Sequence, residues 1–280
     1  MAGIRIVTDS SCDLPPALCE QHGIGVVSLT IRFGEEELVD RVDFTPAQFW
    51  ERCAASPVLP ETAAPSPGAF EAAFRAAADA GADGVVCVNI SSKLSATSQA
   101  AEAAALLVAD AIPVRVVDSE SVTMGLGMIV LAAVRSAEAG GTLDDVAGAA
   151  RAAATRCRVF GTLDTLENLK KGGRIGGAKA LVASLLSIKP VIVVENGKVE
   201  EGAKPRTRSR AMKYLVERIT SEPGTIEHLA VMNGGAPDIE AFLDLLAPVF
   251  PRDQIVLADL GAVIGAHSGL GTIGIAYLVA

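Results

Sequence analysis

The chain has 280 residues, 50% of them hydrophobic, and a mean hydropathy of +0.39, which excludes a mainly disordered state and leaves room for one large or two ordinary cores. Its net charge of −9 (24 basic against 33 acidic residues) argues against a nucleic-acid binder, whose surface is usually basic. Aromatic residues make up only 4%, so any pocket is walled by aliphatic side chains and alanine, which suits a flexible alkyl chain better than a stacked base.

The chain opens on Ile4-Arg5-Ile6-Val7 without a signal-peptide pattern. Ile4–Asp9 and Ile24–Ile31 read as buried strands, with a helix between them starting near Asp13-Leu14-Pro15. Thr45-Pro46 opens a helix through Ala54, and Ser66-Pro67 opens another to Ala80. Val85–Ile90 is a predicted strand, Ser95–Asp110 an alanine-rich helix and Val114–Asp118 a strand, followed by helices over Met124–Ala139 and Leu143–Thr155. The apolar run from Met124 to Val134 is too short to span a bilayer, so a cytoplasmic protein with no stable membrane insertion is expected.

This rhythm predicts an α/β fold whose N-terminal half is a mostly parallel sheet with helices on both faces. In such sheets ligand groups gather after the strand C-termini, where Asp9-Ser10-Ser11, Ser91-Ser92 and Asp118-Ser119 fall. The same residues also suit plain helix caps.

The second half begins with a strand over Val159–Leu163 and reaches Lys170-Lys171-Gly172-Gly173-Arg174. Pro190–Val194 turns at Glu195-Asn196-Gly197-Lys198 as a hairpin. A helix over Thr207–Ile219, a strand over His228–Met232, a helix over Asp238–Leu246 and a strand over Ile255–Asp259 follow, before a glycine-rich end. The boundary is placed near residue 160, giving an N-terminal domain of 1–160 and a C-terminal α/β domain of 161–280.

Several motifs mislead. Gly269-Leu270-Gly271-Thr272-Ile273-Gly274 matches a dinucleotide fingerprint, yet only six residues follow it, too few for the required helix and strand. No nucleotide-triphosphate loop and no nucleophile elbow are present. The five cysteines are scattered, and neither they nor the three histidines show metal-ligand spacing, so no metal is expected. Two segments, 168–194 and 204–213, each hold five basic residues and no acid. They read either as solvated faces or as an anion site and docking patch. His267 lies among glycines that permit close ligand approach, or is simply structural. Thr62 and Ser95 read equally as loop filler and helix cap.

Together, six segments in order resemble the DegV family, specifically its fatty-acid-binding members. They are Ile6 to Pro15, Thr62 through Pro65-Ser66-Pro67, Ser91-Ser92-Lys93-Leu94-Ser95-Ala96-Thr97, Val117-Asp118-Ser119, Lys171-Gly172-Gly173-Arg174-Ile175 and the His267 segment. The resemblance implies two α/β domains with an acyl chain enclosed mainly by the second. It implies that Thr62 and Ser95 bind the carboxylate, that Arg174 and His267 complete the polar end, and that Arg206 lies on the head-group or docking side. It implies no catalytic residue and no cofactor beyond the bound long-chain fatty acid. A separate fatty-acid kinase subunit is the implied partner, phosphorylating the carboxylate to an acyl phosphate for phospholipid synthesis. Ala96 stands where the family commonly has Gly, Ala63-Ala64 replace Ser-Gln, and Leu270 replaces Pro.

The run from Leu181 to Ile188 is a candidate tunnel lining. Burying a long acyl tail yields roughly 0.8 kcal/mol per CH₂, and its acidic tip then needs hydroxyl or cationic donors. A serine hydrolase of acyl esters, with Ser95 as nucleophile, His267 as base and Asp118 or Asp9 behind it, is the alternative. A sensor of a phosphorylated small molecule is a third reading.

Overall fold

The computed structural model describes residues 3–280, apart from the side chains of residues 182–187. Its first half opens with β1 (Ile4–Asp9), α1 (Pro16–His22), β2 (Gly25–Val27), β3 (Thr30–Phe33) and β4 (Glu36–Val39). Then come α2 (Pro46–Ala55), β5 (Glu61–Ala63), α3 (Pro67–Asp79), β6 (Gly84–Asn89), α4 (Thr97–Leu107) and β7 (Val114–Asp118). Two long helices, α5 (Thr123–Glu138) and α6 (Leu143–Arg156), close this half.

Strands β2-β1-β6-β7 form a parallel sheet, as the alternation of strands and helices predicts. Every residue of β6 is buried, as expected of a central strand covered on both faces. The two faces divide by alternation. Val7, Val85 and Cys87 pack on Phe70, Phe74, Ala101 and Ala104 of α3 and α4. Ile6, Val86 and Val88 face α5 and α6.

The second half begins with β8 (Cys157–Thr162) and α7 (Glu167–Lys171), followed by a 3₁₀ segment over Gly176–Ser187. It continues through β9 (Val191–Glu195), β10 (Lys198–Ala203), α8 (Arg208–Thr220), β11 (Ile226–Gly234) and α9 (Ile239–Leu246). It ends with β12 (Ile255–Asp259), α10 (Ala262–Ser268) and β13 (Thr272–Val279). These strands form a mixed six-stranded sheet in the order β10-β9-β8-β13-β11-β12. Asn196 and Gly197 both take the left-handed conformation that a two-residue hairpin demands.

The apolar run over Met124–Val134 finds its explanation in α5, which lies between the two sheets. Eleven of its sixteen residues are buried. One cluster joins Ile6, Val86 and Val88 through α5 to Val159, Ala230, Met232, Ala276 and Leu278 of the second sheet. A helix apolar all round is a buried helix.

The expected strand over Ile24–Ile31 is broken at Ser28-Leu29, and its two parts join different sheets: β2 pairs with β1, whereas β3 pairs with β4 and β5. Leu29 cannot continue a ladder because its N–H donates to Ser10 Oγ (3.1 Å) and its carbonyl accepts from Asp40 N–H (2.9 Å). The small antiparallel sheet β4-β3-β5 escapes a sequence reading, since β5 has only three residues. The glycine-rich end contains a second correction. β13 is an eight-residue strand between β8 and β11, its glycines notwithstanding.

A buried polar junction fixes α10. Asp13, in the left-handed conformation at φ 52°, accepts from Gly261 N–H at the start of α10 (3.0 Å) and from Thr123 Oγ1 (2.6 Å). Arg41 lies 3.6 Å from the same carboxylate. Burial pushes the Asp13 pKa up to about 7, against the pull of Arg41 and the two donors. The turn after β1, the start of α5 and the start of α10 thus meet on one side chain.

Candidate ligand-binding site

Thr62 sits in β5 opposite Ile31, and α10 brings His267 to it from 205 residues away: Thr62 Oγ1 and His267 Nε2 are 2.9 Å apart. Gly172, which closes α7, packs directly against the imidazole. A Cβ there would be 2.7 Å from His267 Cε1 and closer still to Nδ1. The adjacent Arg174 ties two segments together, donating from Nη1 to Gly172 O (2.6 Å) and from Nε to Leu94 O (3.1 Å). Leu94 precedes Ser95, so the guanidinium holds the loop before α4 against the Gly172 turn. Ser95 Oγ shares a hydrogen bond with Thr97 Oγ1 (2.8 Å). Ala96 has φ −77°, ordinary backbone for any L residue, so alanine replaces glycine there without strain.

Thr62, Arg174 and Gly172 line an open cleft of about 390 Å³ with Lys171, Asn168 and the Pro57–Pro60 loop. Arg206 is exposed on the loop before α8 and is not among the lining residues. Asn168 was missed by sequence reasoning. Its Nδ2 donates to Ala266 O (3.0 Å) and anchors α7 to α10, and no local pattern marks an Asn for that task.

His267 Nδ1 is buried with no partner among the described residues. Burial, then the neighbouring Arg174, lower the His267 pKa to about 4, so the ring is neutral at pH 7. The sign of the stability effect follows. The unfolded chain takes up this proton below its ordinary value of about 6.5, whereas the folded chain refuses it down to about 4. Stability from this site is therefore full above pH 6.5 and falls by up to roughly 3 kcal/mol as the pH drops toward 4. Asp13 moves the opposite way, so the two are separated by a variant. Between pH 7 and 4.5 the wild type is expected to lose stability relative to His267→Gln by about 2 kcal/mol in urea unfolding, the Asp13 contribution being common to both. An identical slope in the two proteins would contradict it.

The Ser95–His267 nucleophile–base pair of the hydrolase reading is not formed. His267 Nε2 is occupied by Thr62, Ser95 by Thr97, and no carboxylate backs the imidazole among the described residues. Asp118 accepts instead from Ser92 and Glu120 N–H, and Asp9 from Ser11, Asn89 and Ile90. No group of His, Cys, Asp and Glu among the described residues forms a metal cluster, and no helix among them is long and apolar enough to cross a membrane.

On the other side of α10 an apolar cavity lies between the second sheet and the helices α5 and α10. Gly161, Ile192, Val194, Met232 and Gly274 of the second sheet wall it, with Val122 just before α5, Thr123 of α5, and Ile264 and Ser268 of α10. Its volume is about 50 Å³, well under the several hundred Å³ that bound small molecules usually occupy. Leu181 is buried in a neighbouring cluster with Leu163, Leu169 and Ile175, while the rest of the expected tunnel lining, 182–187, falls outside the described side chains.

A family model described as an uncharacterised protein of the DegV family matches residues 3–280. The chain belongs to the DegV family. A DegV domain-containing protein of Streptomyces coelicolor is 38% identical to it over 97% of each chain. A DegV family protein from Thermus thermophilus, whose structure is described as fatty-acid binding, superposes with a TM-score of 0.91 at 33% identity, covering 99% of this chain and 100% of that one. A stearic acid-binding protein from Eubacterium ventriosum has a TM-score of 0.89 at 26% identity, covering 100% and 98%. These similarities bear out the family resemblance and the mixed α/β fold.

Proposed function

We propose that this DegV chain binds a long-chain fatty acid and presents its carboxylate to a separate fatty-acid kinase subunit, which converts it to an acyl phosphate in the cytoplasm. The Thr62 and Ser95 hydroxyls grip the carboxylate, Arg174 offsets its charge, and His267 completes the polar end. The tail runs past α10 into the apolar cavity, mainly within 161–280. Arg206 lies on the docking side. The chain itself performs no chemistry and uses no cofactor.

The observation that carries this reading is the position of α10. Its one turn places His267 against Thr62 at a polar cleft, and Ile264 and Ser268 against the apolar cavity. An amphipathic acid needs these two environments side by side. A long tail supplies roughly 10 kcal/mol of transfer free energy before ordering costs. Part of that opens the 50 Å³ cavity, whose aliphatic and methionine walls repack readily. A neutral His267 leaves Arg174 as the cation facing the carboxylate at pH 7.

Native mass spectrometry of protein purified from a bacterial host is expected to show one fatty acid per chain, or uptake of added palmitate or oleate. Gly161→Val tests the tail site. A Cβ at Gly161 meets only ordinary contacts, nearest at 3.8 Å, and valine favours a strand, so the fold accepts it while the side chain fills the cavity. Its affinity for palmitate is expected to fall at least about tenfold. Undiminished binding would move the tail elsewhere, and a wild-type chain that stays empty would end the proposal. Mixing loaded protein with ATP and a fatty-acid kinase subunit, and trapping acyl phosphate with hydroxylamine, tests the presentation step.

A further inference from the structure

One side chain among the residues lining the cavity carries a buried polar atom with nothing to bond. Ser268 is 6% exposed, and its Oγ has no hydrogen-bond partner among the described residues. A serine in a helix ordinarily returns its hydroxyl to the carbonyl four residues back, here Ile264. That bond is not made. The other hydroxyls of the wall are spoken for: Thr123 Oγ1 donates to Asp13, and Thr272 Oγ1 to the Ser268 and Gly269 carbonyls. A buried hydroxyl without a partner destabilises the protein, and alanine in its place would do as well for a plain hydrocarbon tail. Ser268 follows His267 directly, so its Cα lies about 3.8 Å from that of the residue at the polar end.

From this we infer that the pocket recognises a fatty acid bearing an oxygen substituent close to its carboxyl group, a 2- or 3-hydroxy acid, with Ser268 as the residue that reads it. The inference rests on the fatty-acid reading of the same site and names the substrate class within it. Its chemistry is a single hydrogen bond in a dry wall. Ser268 Oγ donates to, or accepts from, the substituent, and each satisfies the other. A plain acid leaves Ser268 unsatisfied, and a hydroxy acid in a wholly apolar tunnel would leave its own hydroxyl unsatisfied. Preference therefore arises from both sides.

The test compares palmitate with 2-hydroxy- and 3-hydroxypalmitate on the full chain, stripped of lipid, by displacement of a fluorescent fatty acid. In the wild type one of the hydroxy acids is expected to bind about fivefold more tightly than palmitate. In Ser268→Ala that preference, read as the ratio of hydroxypalmitate to palmitate affinity within the one protein, is expected to vanish or reverse, with thermal stability unchanged or raised. If palmitate binds and the preference is absent in the wild type, or is the same in Ser268→Ala, the inference is overturned while the fatty-acid reading stands. If none of the three acids binds, both fall.

Discussion

Gly172→Ala is expected to weaken the proposed fatty-acid binding about 100-fold while leaving the protein folded. The backbone at Gly172 has φ −72°, so alanine meets no conformational obstacle. The obstacle is the imidazole. The added methyl would press on Nδ1 and Cε1 of His267 and lie 3.1 Å from Asn168 O, so the ring must swing away and release Thr62. Overpacking of this kind costs about 1–3 kcal/mol. If Thr62 and His267 hold the carboxylate as proposed, displacing both is expected to lower palmitate affinity about 100-fold. The double variant Gly172→Ala/His267→Ala separates crowding from other effects, because removing the ring removes the clash. Its stability loss is expected to be smaller than the sum of the two single losses. Strict additivity in urea unfolding would show that Gly172 does not act through His267.

Asp13→Ala is expected to cost the most stability, about 3 kcal/mol or more, since it leaves Arg41, Thr123 Oγ1 and Gly261 N–H without their shared acceptor. Alanine is also poorly suited to the left-handed backbone at φ 52°. Asparagine tolerates that conformation and keeps an oxygen for Gly261 N–H, so Asp13→Asn should retain most of the stability. Both variants loosen the N-terminal end of α10. Hydrogen exchange over 261–268 is therefore expected to accelerate more in the alanine variant than in the asparagine one. Equal protection in both and in the wild type would show that α10 is held by packing alone.

Much of the parallel sheet is legible from the sequence because its strands are local, buried and continuous. Val114–Asp118 coincides with β7 to the residue, and capping threonines mark the starts of α2 and α8. The six family segments are legible too. What is hidden depends on distance along the chain. Nothing local distinguishes Thr62 from loop filler, because β5 becomes a strand only by pairing with β3. Nothing near His267 announces Thr62, Gly172 or Asn168, which arrive from β5 and from α7 with its closing turn. β13 is obscured by Gly274, whose position opposite Met232 in β11 needs no side chain. Ser268 is an unremarked residue in the sequence, and only its lack of a partner in three dimensions singles it out.

The placement of β13 has a consequence for biosynthesis. It is the seam of the six-stranded sheet, between β8 and β11, yet both of those strands precede it in the chain. While a nascent chain is still short of residue 272, β10-β9-β8 and β11-β12 are separate ribbons with no ladder joining them. His267, directly upstream of the seam, cannot be held in place until β13 has cleared the ribosome and zipped the ribbons together. The proposed binding pocket is accordingly among the last parts of the molecule to mature, and a premature stop codon before Thr272 removes Thr272 and Gly274 from its wall while leaving every strand of the parallel sheet in the chain.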